Sequence, residues 1–594
     1  MHDPVDPQIR DRAIAAARGE GPFDLLMTGG MVVDVGTGEL RLADVGLVGP
    51  LIASVHAPGS RTDALDAFDV TGRYLAPGFI DMHVHFESSM LTPGGYAEAV
   101  CPRGTTTVFC DPHELANVCG VDGVRYSVEA SRGLPVRFIV QAPSCVPPIP
   151  GLELSGADLH GPEVVEMLGW PEVGGLAEVM DMRGVLTRDG RMVDVVAAGL
   201  ASGKLVSGHA AGLTGPELQA YLCAGILSDH EIFLDGDVAE RLRAGMTVEL
   251  RGMIDALLPP AVEALEAFPI LPTHVVAATD DLFALTLLTD GGIDHLLRRL
   301  VAAGLDPVKA IRIATMHAAY RLERSDLGLV AAGRRADLVV LSDLDGIVVD
   351  DVWTDGTHVA SSGSMLVPVV EGPSAPPYDT MRLDPVAPDD FVLRLPDAPD
   401  GPCTVRTVAG AVVTEWAETT VDVRDGIVTL PTGHVLQVAI HRHGRAPATP
   451  VAALLADYAA PGADWTGAIA TTVAHDTHNL VVFGRDPEDM ALAANTVIGS
   501  GGGICVVADR EVVGLIELPI AGLLSPRPAA EVAEAQRRTQ AAALAIGLHA
   551  PTLTQPLFQV LLSSLACLGG PHVTDVGLVD GTTGQLVPTL TGNL

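Results

Sequence analysis

Lysine is almost missing from this chain: Lys204 and Lys309 are the only two among 594 residues, so nearly all positive charge is arginine. Basic residues are scarce altogether, 36 against 74 acidic ones, for a formal net charge of −38 at pH 7. A chain of that sign repels phosphate backbones and anionic headgroups, which excludes nucleic acid and membrane surfaces as partners. Also lacking is any uninterrupted apolar run long enough to span a bilayer. The polar, charged stretch Met1–Glu20 has neither the basic start nor the apolar middle of a secretory signal, so a cytoplasmic location is expected. The eight cysteines include no Cys-x-x-Cys pair, and Cys110, Cys223 and Cys505 sit in apolar surroundings. Buried free thiols, rather than disulfides, are the expectation.

What the chain does have is apolar content, 48% of residues, and a length too great for one core. Two to four domains are expected. Residues 23–75 show short alternating strands separated by glycine turns, the pattern of a small β layer. From Ala76 to Ala319 apolar runs alternate with helical patterns. Thr105–Phe109, Val136–Gln141, Gly174–Val179, Leu205–His209 and His274–Thr279 each end in a polar or glycine-rich loop. Repeated β-then-α units over that length predict a TIM-like (β/α)8 barrel, with chemistry collected where strands end. The segment around Asp326–Leu341 reads as a return to the first β layer, so residues 1–75 and 320–370 together would form a small β-sandwich flanking the barrel at 76–319. Proline-rich 368–388 reads as a linker, and 371–594 as an additional C-terminal α/β domain, with strands near Leu480–Phe483 and Gly503–Val507 and a helix near Ala529–Ala545. The run Gly499–Gly503 lacks the Lys-Ser/Thr of a phosphate loop and reads as a turn.

The most informative stretch is His83-Val-His85, at the end of an apolar strand. Alternation along extended chain projects both imidazoles to one side, where they can share a divalent cation. Further acids and histidines fall at other strand ends: Asp111-Pro-His113-Glu114, Glu178, His209, His230, and the pair Asp280-Asp281. Each has a structural alternative: Glu178 as a helix-start acid, His230 as a core histidine, Asp280 as a helix cap. Taken in order along successive β/α units, four imidazoles and two carboxylates suffice for a two-metal hydrolytic centre.

In that order, His-x-His, Glu, His, His, Asp, the chain resembles the amidohydrolase superfamily. Its fuller phrases resemble the adenine deaminase family in particular: Pro77-Gly-Phe-Ile-Asp-Met-His-Val-His-Phe-Glu-Ser-Ser-Met-Leu-Thr-Pro93, Gly104-Thr-Thr-Thr-Val-Phe-Cys-Asp-Pro-His-Glu114, Gly208-His-Ala-Ala-Gly-Leu-Thr-Gly215, Gly225-Ile-Leu-Ser-Asp-His-Glu231 and Ala278-Thr-Asp-Asp281. Val473-Ala-His-Asp-Thr-His-Asn-Leu480, Pro487-Glu-Asp-Met-Ala491 and Leu518-Pro-Ile-Ala-Gly-Leu523 carry the resemblance through the C-terminal unit.

The resemblance implies that His83, His85 and Asp280 hold one metal and His209 and His230 the other, with Glu178 bridging. Many binuclear relatives bridge with a carboxylated lysine; neither Lys204 nor Lys309 lies on the Gly174–Val179 strand, which leaves the glutamate. Mn(II) or Fe(II) is implied, with Zn(II) as the further option, and a homodimer. The implied reaction is hydrolytic deamination of adenine to hypoxanthine and ammonia in purine metabolism. A metal-bridging hydroxide attacks C6, and Asp280 carries its proton toward the ring or the leaving ammonia. Glu87, Ser88, Ser89, His113, Glu114 and Asp281 are candidate substrate contacts, with loop capping or a structural role as the alternative for the serines, His113 and Glu114. His475 and His478 either close the barrel mouth, bind a further metal or form a domain-interface cluster.

Two phrases depart from the family. After Asp281 the family continues Arg-His-Pro and this chain Leu282-Phe283-Ala284; after Glu178 it reads Val-Met-Asp-Met-Arg-Gly in place of Met-Met-Asn-Phe-Pro-Gly. Another aminopurine or cyclic amidine is therefore the alternative substrate, and a metal-binding scaffold without turnover the alternative of a different class.

Overall fold

A computed structural model describes residues 5–410, 414–459, 463–551, 553 and 555–590. Its centre is a ring of parallel strands: β1 (Phe79–Val84), β2 (Thr105–Cys110), β3 (Arg137–Ala142), β4 (Val173–Val179), β5 (Leu205–Gly208), β6 (Ser228–Asp229), β7 (Thr247–Leu250) and β8 (Val275–Ala277). Strands β1–β5 form one parallel sheet and β6–β8 another. Two seams close them into a barrel. Asp280 N–H donates to the His83 carbonyl at 2.9 Å, joining β8 to β1. Gly208 N–H donates to Ser228 Oγ at 3.1 Å, joining β5 to β6. Glycine is required at that second seam, because a Cβ on Gly208 would lie 2.2 Å from the Ser228 carbonyl oxygen. Every residue of β1 and β2 is buried, as expected for strands with a packed interior on one side and helices on the other.

Both flanks of the barrel meet in one nine-stranded sheet. Its long strand Phe23–Asp34 pairs along one edge with Glu39–Val48. On its other edge it pairs first with Ala64–Asp69 and then, past a register shift between Met27 and Gly30, with Tyr74–Pro77. Tyr74–Pro77 pairs in turn with Leu338–Asp343 from beyond the barrel, so the sheet forks and encloses its own apolar core around Val45, Leu75, Leu338 and Trp353.

The C-terminal region holds a second nine-stranded sheet, running from Ile427–Thr429 at one edge to Glu511–Glu517 at the other. The strands Leu480–Gly484 and Gly503–Ala508 and the helix Ala529–Ala545 fall where the apolar patterning places them. One apolar cluster runs from the barrel helices into this region, with Phe283 stacked on Phe558 at 4.7 Å. The C-terminal domain therefore packs over the barrel mouth.

Among the cysteines, Cys110 and Cys505 are buried free thiols as expected, but Cys223 is exposed at the end of helix Gly215–Cys223. Apolar neighbours in sequence did not bury it, because on that helix only Leu218 and Tyr221 face inward.

Candidate metal centre

Each of the six acids and histidines read as ligands stands at the carboxyl end of a barrel strand, and each is at most 3% exposed. His83 and His85 straddle the end of β1; the Asp111 carbonyl accepts from His85 Nδ1 at 2.9 Å, which leaves Nε2 to face the barrel axis. Glu178 is the penultimate residue of β4, and His209 and His230 follow β5 and β6 directly. Asp280 lies three residues past β8 with φ +59°, a left-handed conformation that costs a non-glycine residue about 1 kcal/mol. It is held there by backbone bonds to both sides of Val84: its N–H donates to His83 and its carbonyl accepts from His85. Below it, Asp81 accepts from Thr279 N–H at 3.0 Å, and burial pushes its carboxyl up to about 7.

The Glu178 carboxylate divides its two oxygens. Oε1 lies 3.2 Å from His85 Nε2 and 3.6 Å from His83 Nε2; Oε2 lies 2.7 Å from His209 Nδ1 and 3.3 Å from His230 Nε2. Asp280 Oδ1 stands 3.4 Å from His83 Nε2 and 3.3 Å from His85 Nε2, on the first of these pairs.

These residues fit divalent cations on two grounds. His83 Nε2 and His85 Nε2 approach to 3.0 Å, a contact between two aromatic nitrogens aimed at one point that a shared cation relieves. The electrostatics also call for positive charge. Burial opposes ionisation of Glu178, yet His230, His209 and His85 hold its carboxyl well below the ordinary range. Burial likewise opposes charge on His85 and His230, and both imidazoles are nevertheless pushed up to about 10, with Glu178 among the carboxylates responsible. The buried triads His83/His230/Asp280 and Glu178/His209/His230 each place three ligand atoms within 4.8 Å of one another.

The amidohydrolase family matches residues 74–359, and the adenine deaminase C-terminal domain matches residues 411–585. An adenine deaminase of Klebsiella pneumoniae (strain 342) is 51% identical over 585 residues, 98% of this chain and 96% of that one. The chain belongs to the adenine deaminase family. One from Serratia proteamaculans (strain 568) is also 51% identical, covering 98% of this chain and 97% of its own. A more distant one, from Moorella thermoacetica, is 37% identical with 98% of both chains covered.

Both lysines of this family member are spent away from the centre. Lys204 Nζ donates to the carbonyls of Leu168, Trp170 and Val173, and Lys309 pairs with Glu266 at 2.9 Å.

The expected substrate contacts divide into two groups. His113 and Asp281 line the cavity over Glu178, together with His475 from the C-terminal domain. Glu87, Ser88, Ser89 and Glu114 do not line it, and stand behind its wall. Ser89 Oγ is committed to its own turn, donating to the Phe86 carbonyl at 2.5 Å and accepting from Leu91 N–H at 3.2 Å. Glu87 accepts from Leu115 N–H at 3.4 Å, and burial raises its carboxyl far above the ordinary range. Ser88 Oγ meets Glu114 at 2.6 Å and Asp281 at 2.5 Å, so these two reach the cavity through Asp281. His478 is wholly buried beside His475 and is not part of the cavity wall.

Three charged residues at the cavity were not among the sequence candidates. Arg251, just after β7, ion-pairs with Asp280 Oδ2 and, at 2.6 Å, with Glu231 Oε2. Glu231 Oε1 lies 3.4 Å from His230 Nε2, and Asp476 Oδ1 lies 3.9 Å from His113 Nε2. Glu231 had a signal, since it directly follows His230. Strand β7 is only four residues long and carries no histidine to mark its end, so Arg251 had none.

Proposed function

We propose that this chain hydrolyses adenine to hypoxanthine and ammonia at two divalent cations held by His83, His85, Glu178, His209, His230 and Asp280. The observation that carries the reading is the divided Glu178 carboxylate, one oxygen on each histidine pair, in a chain that matches adenine deaminases over 98% of its length. Bound cations of this kind polarise the attacked centre and lower the pKa of water.

The protein's own groups do the rest. Glu178, whose two oxygens face different histidines, would be the ligand shared by the two cations. The Asp280 carboxylate takes a proton from the attacking water and returns it to the departing exocyclic nitrogen, so that water and adenine become hypoxanthine and ammonia. Arg251 at Oδ2 holds that carboxylate in orientation. His113, Asp281 and His475 supply polar contacts for ring nitrogens, and Leu562, Leu565 and Leu568 give the flat base an apolar wall that displaces water.

Mn(II) or Fe(II) is the cation we assign, ahead of Zn(II); mixed imidazole–carboxylate sites take any of these, and supply decides. A homodimer in the cytoplasm completes the reading. Among the described residues, no helix is long and apolar enough to cross a membrane. Protein loaded with each metal in turn should release ammonia from adenine as the absorbance of hypoxanthine grows in. Metal-loaded protein that leaves adenine intact while deaminating another aminoheterocycle would overturn the substrate and keep the reaction class.

A further inference from the structure

The segment after Asp281 is one of two places where this chain departs from its family's phrasing, and there side chains of the C-terminal domain bond to the barrel. Helix Ala284–Thr289 has Phe283 at its N-cap, a residue that offers no capping oxygen, so its first N–H groups need acceptors from elsewhere. Two glutamines distant in sequence provide them. Gln555 Oε1 accepts from Phe283 N–H at 2.7 Å and from Thr286 Oγ1 at 2.9 Å, while its Nε2 donates to the Asp281 carbonyl at 3.2 Å. Gln536 Oε1 accepts from Leu285 N–H at 2.8 Å, and its Nε2 donates to the Ser89 carbonyl at 3.1 Å. Both amides are buried, at 6% and 1% exposure, and each is bonded through both its oxygen and its nitrogen.

These two side chains thus fasten both segments that meet at Ser88 and Asp281. The Ser88 hydroxyl has one proton and two carboxylates within reach, Asp281 and Glu114. It satisfies only one of them fully. Asp281 faces the cavity and retains acceptor capacity there, at a position set by the backbone that Gln555 holds.

We propose that Gln555, seconded by Gln536, is a positioning residue for substrate selection: it fixes the Asp281 carboxylate to accept a ring N–H of the purine. This rests on the functional reading above. The chemistry at the cations is untouched by it, so the effect falls on substrate affinity.

Metal-loaded Gln555→Met, close in length but unable to make these bonds, is compared with the parent enzyme. The KM for adenine should rise at least tenfold, with kcat within threefold and cation content unchanged. Amide hydrogen exchange at 283 should quicken. Gln555→Glu keeps the acceptor toward Phe283 and Thr286 but loses the donor to the Asp281 carbonyl, so its KM should also rise. Should Gln555→Met fail to fold, Gln536→Met reads the same effect from the Ser89 side. An unchanged KM, or a loss of kcat in proportion to lost metal, would overturn the proposal and leave the glutamines as structural only. A parent enzyme inert toward adenine would instead overturn the functional reading, and the exchange measurement would still decide whether the glutamines hold the segment.

Discussion

Arg251 and Asp280 form an ion pair at the barrel mouth in which the guanidinium takes Oδ2 and leaves Oδ1 turned toward His83 and His85, 3.4 and 3.3 Å away. A carboxylate held on one side by a fixed cation is oriented before substrate arrives, and pre-set orientation is a large part of proton-transfer efficiency. Arg251→Leu should lower kcat about 100-fold with both cations retained. Steady-state kinetics beside elemental analysis checks it; a matching loss of metal would assign Arg251 to holding the site together.

Asp280→Asn keeps a ligand oxygen toward His83 and His85 but removes the proton acceptor. Turnover should fall by about 10²–10⁴ while much of the bound metal stays. A scaffold without turnover would be indifferent to the change, so the same variant separates the two classes of function.

Glu178→Gln is expected to act on the metals first. An amide offers one neutral oxygen where the carboxylate offers two anionic ones, 3.2 Å from His85 and 2.7 Å from His209. Elemental analysis should find fewer than two cations per chain, with activity falling alongside.

His317 gives the fold an acid sensitivity at the opposite face of the barrel. Its Nδ1 meets the Val275 carbonyl at 3.0 Å, and burial pushes the imidazole down to about 4 from an ordinary 6.5. Above pH 6.5 folded and unfolded chains both carry it neutral and nothing is lost. Between 6.5 and 4 only the unfolded chain takes the proton, so stability falls as pH falls, by about 1.4 kcal/mol per unit. His317→Gln does not titrate and should lose less stability than the parent between pH 7 and pH 4.5 in urea unfolding; equal losses would sink the assignment.

Phe558→Ala tests the seam between the barrel and the C-terminal domain. The ring is 3% exposed and stacks on Phe283. Its removal should cost about 3–4 kcal/mol, seen as a lower denaturant midpoint.

Much of this architecture was legible from local pattern. Strands such as Thr105–Cys110 and Val173–Val179 announce themselves because β-branched and apolar residues fill most of each run, as suits strands buried on both faces. Strand β6, Ser228–Asp229, is too short to show any period, and only the phrase around His230 marked its place. The exposed Cys223 shows the limit of reading burial from neighbours without knowing which face of a helix turns inward.

The order of residue types along the chain determined that histidines and acids would stand at strand ends, because alternating β/α units carry every strand's carboxyl end to one face of the barrel. Only the tertiary structure decided which oxygen of Glu178 meets which histidine. It alone placed Ser89 in its own turn, and brought Gln555 to Phe283 across 272 residues of sequence. Those pairings depend on distances between segments that are remote in the chain, and local pattern carries no record of such distances.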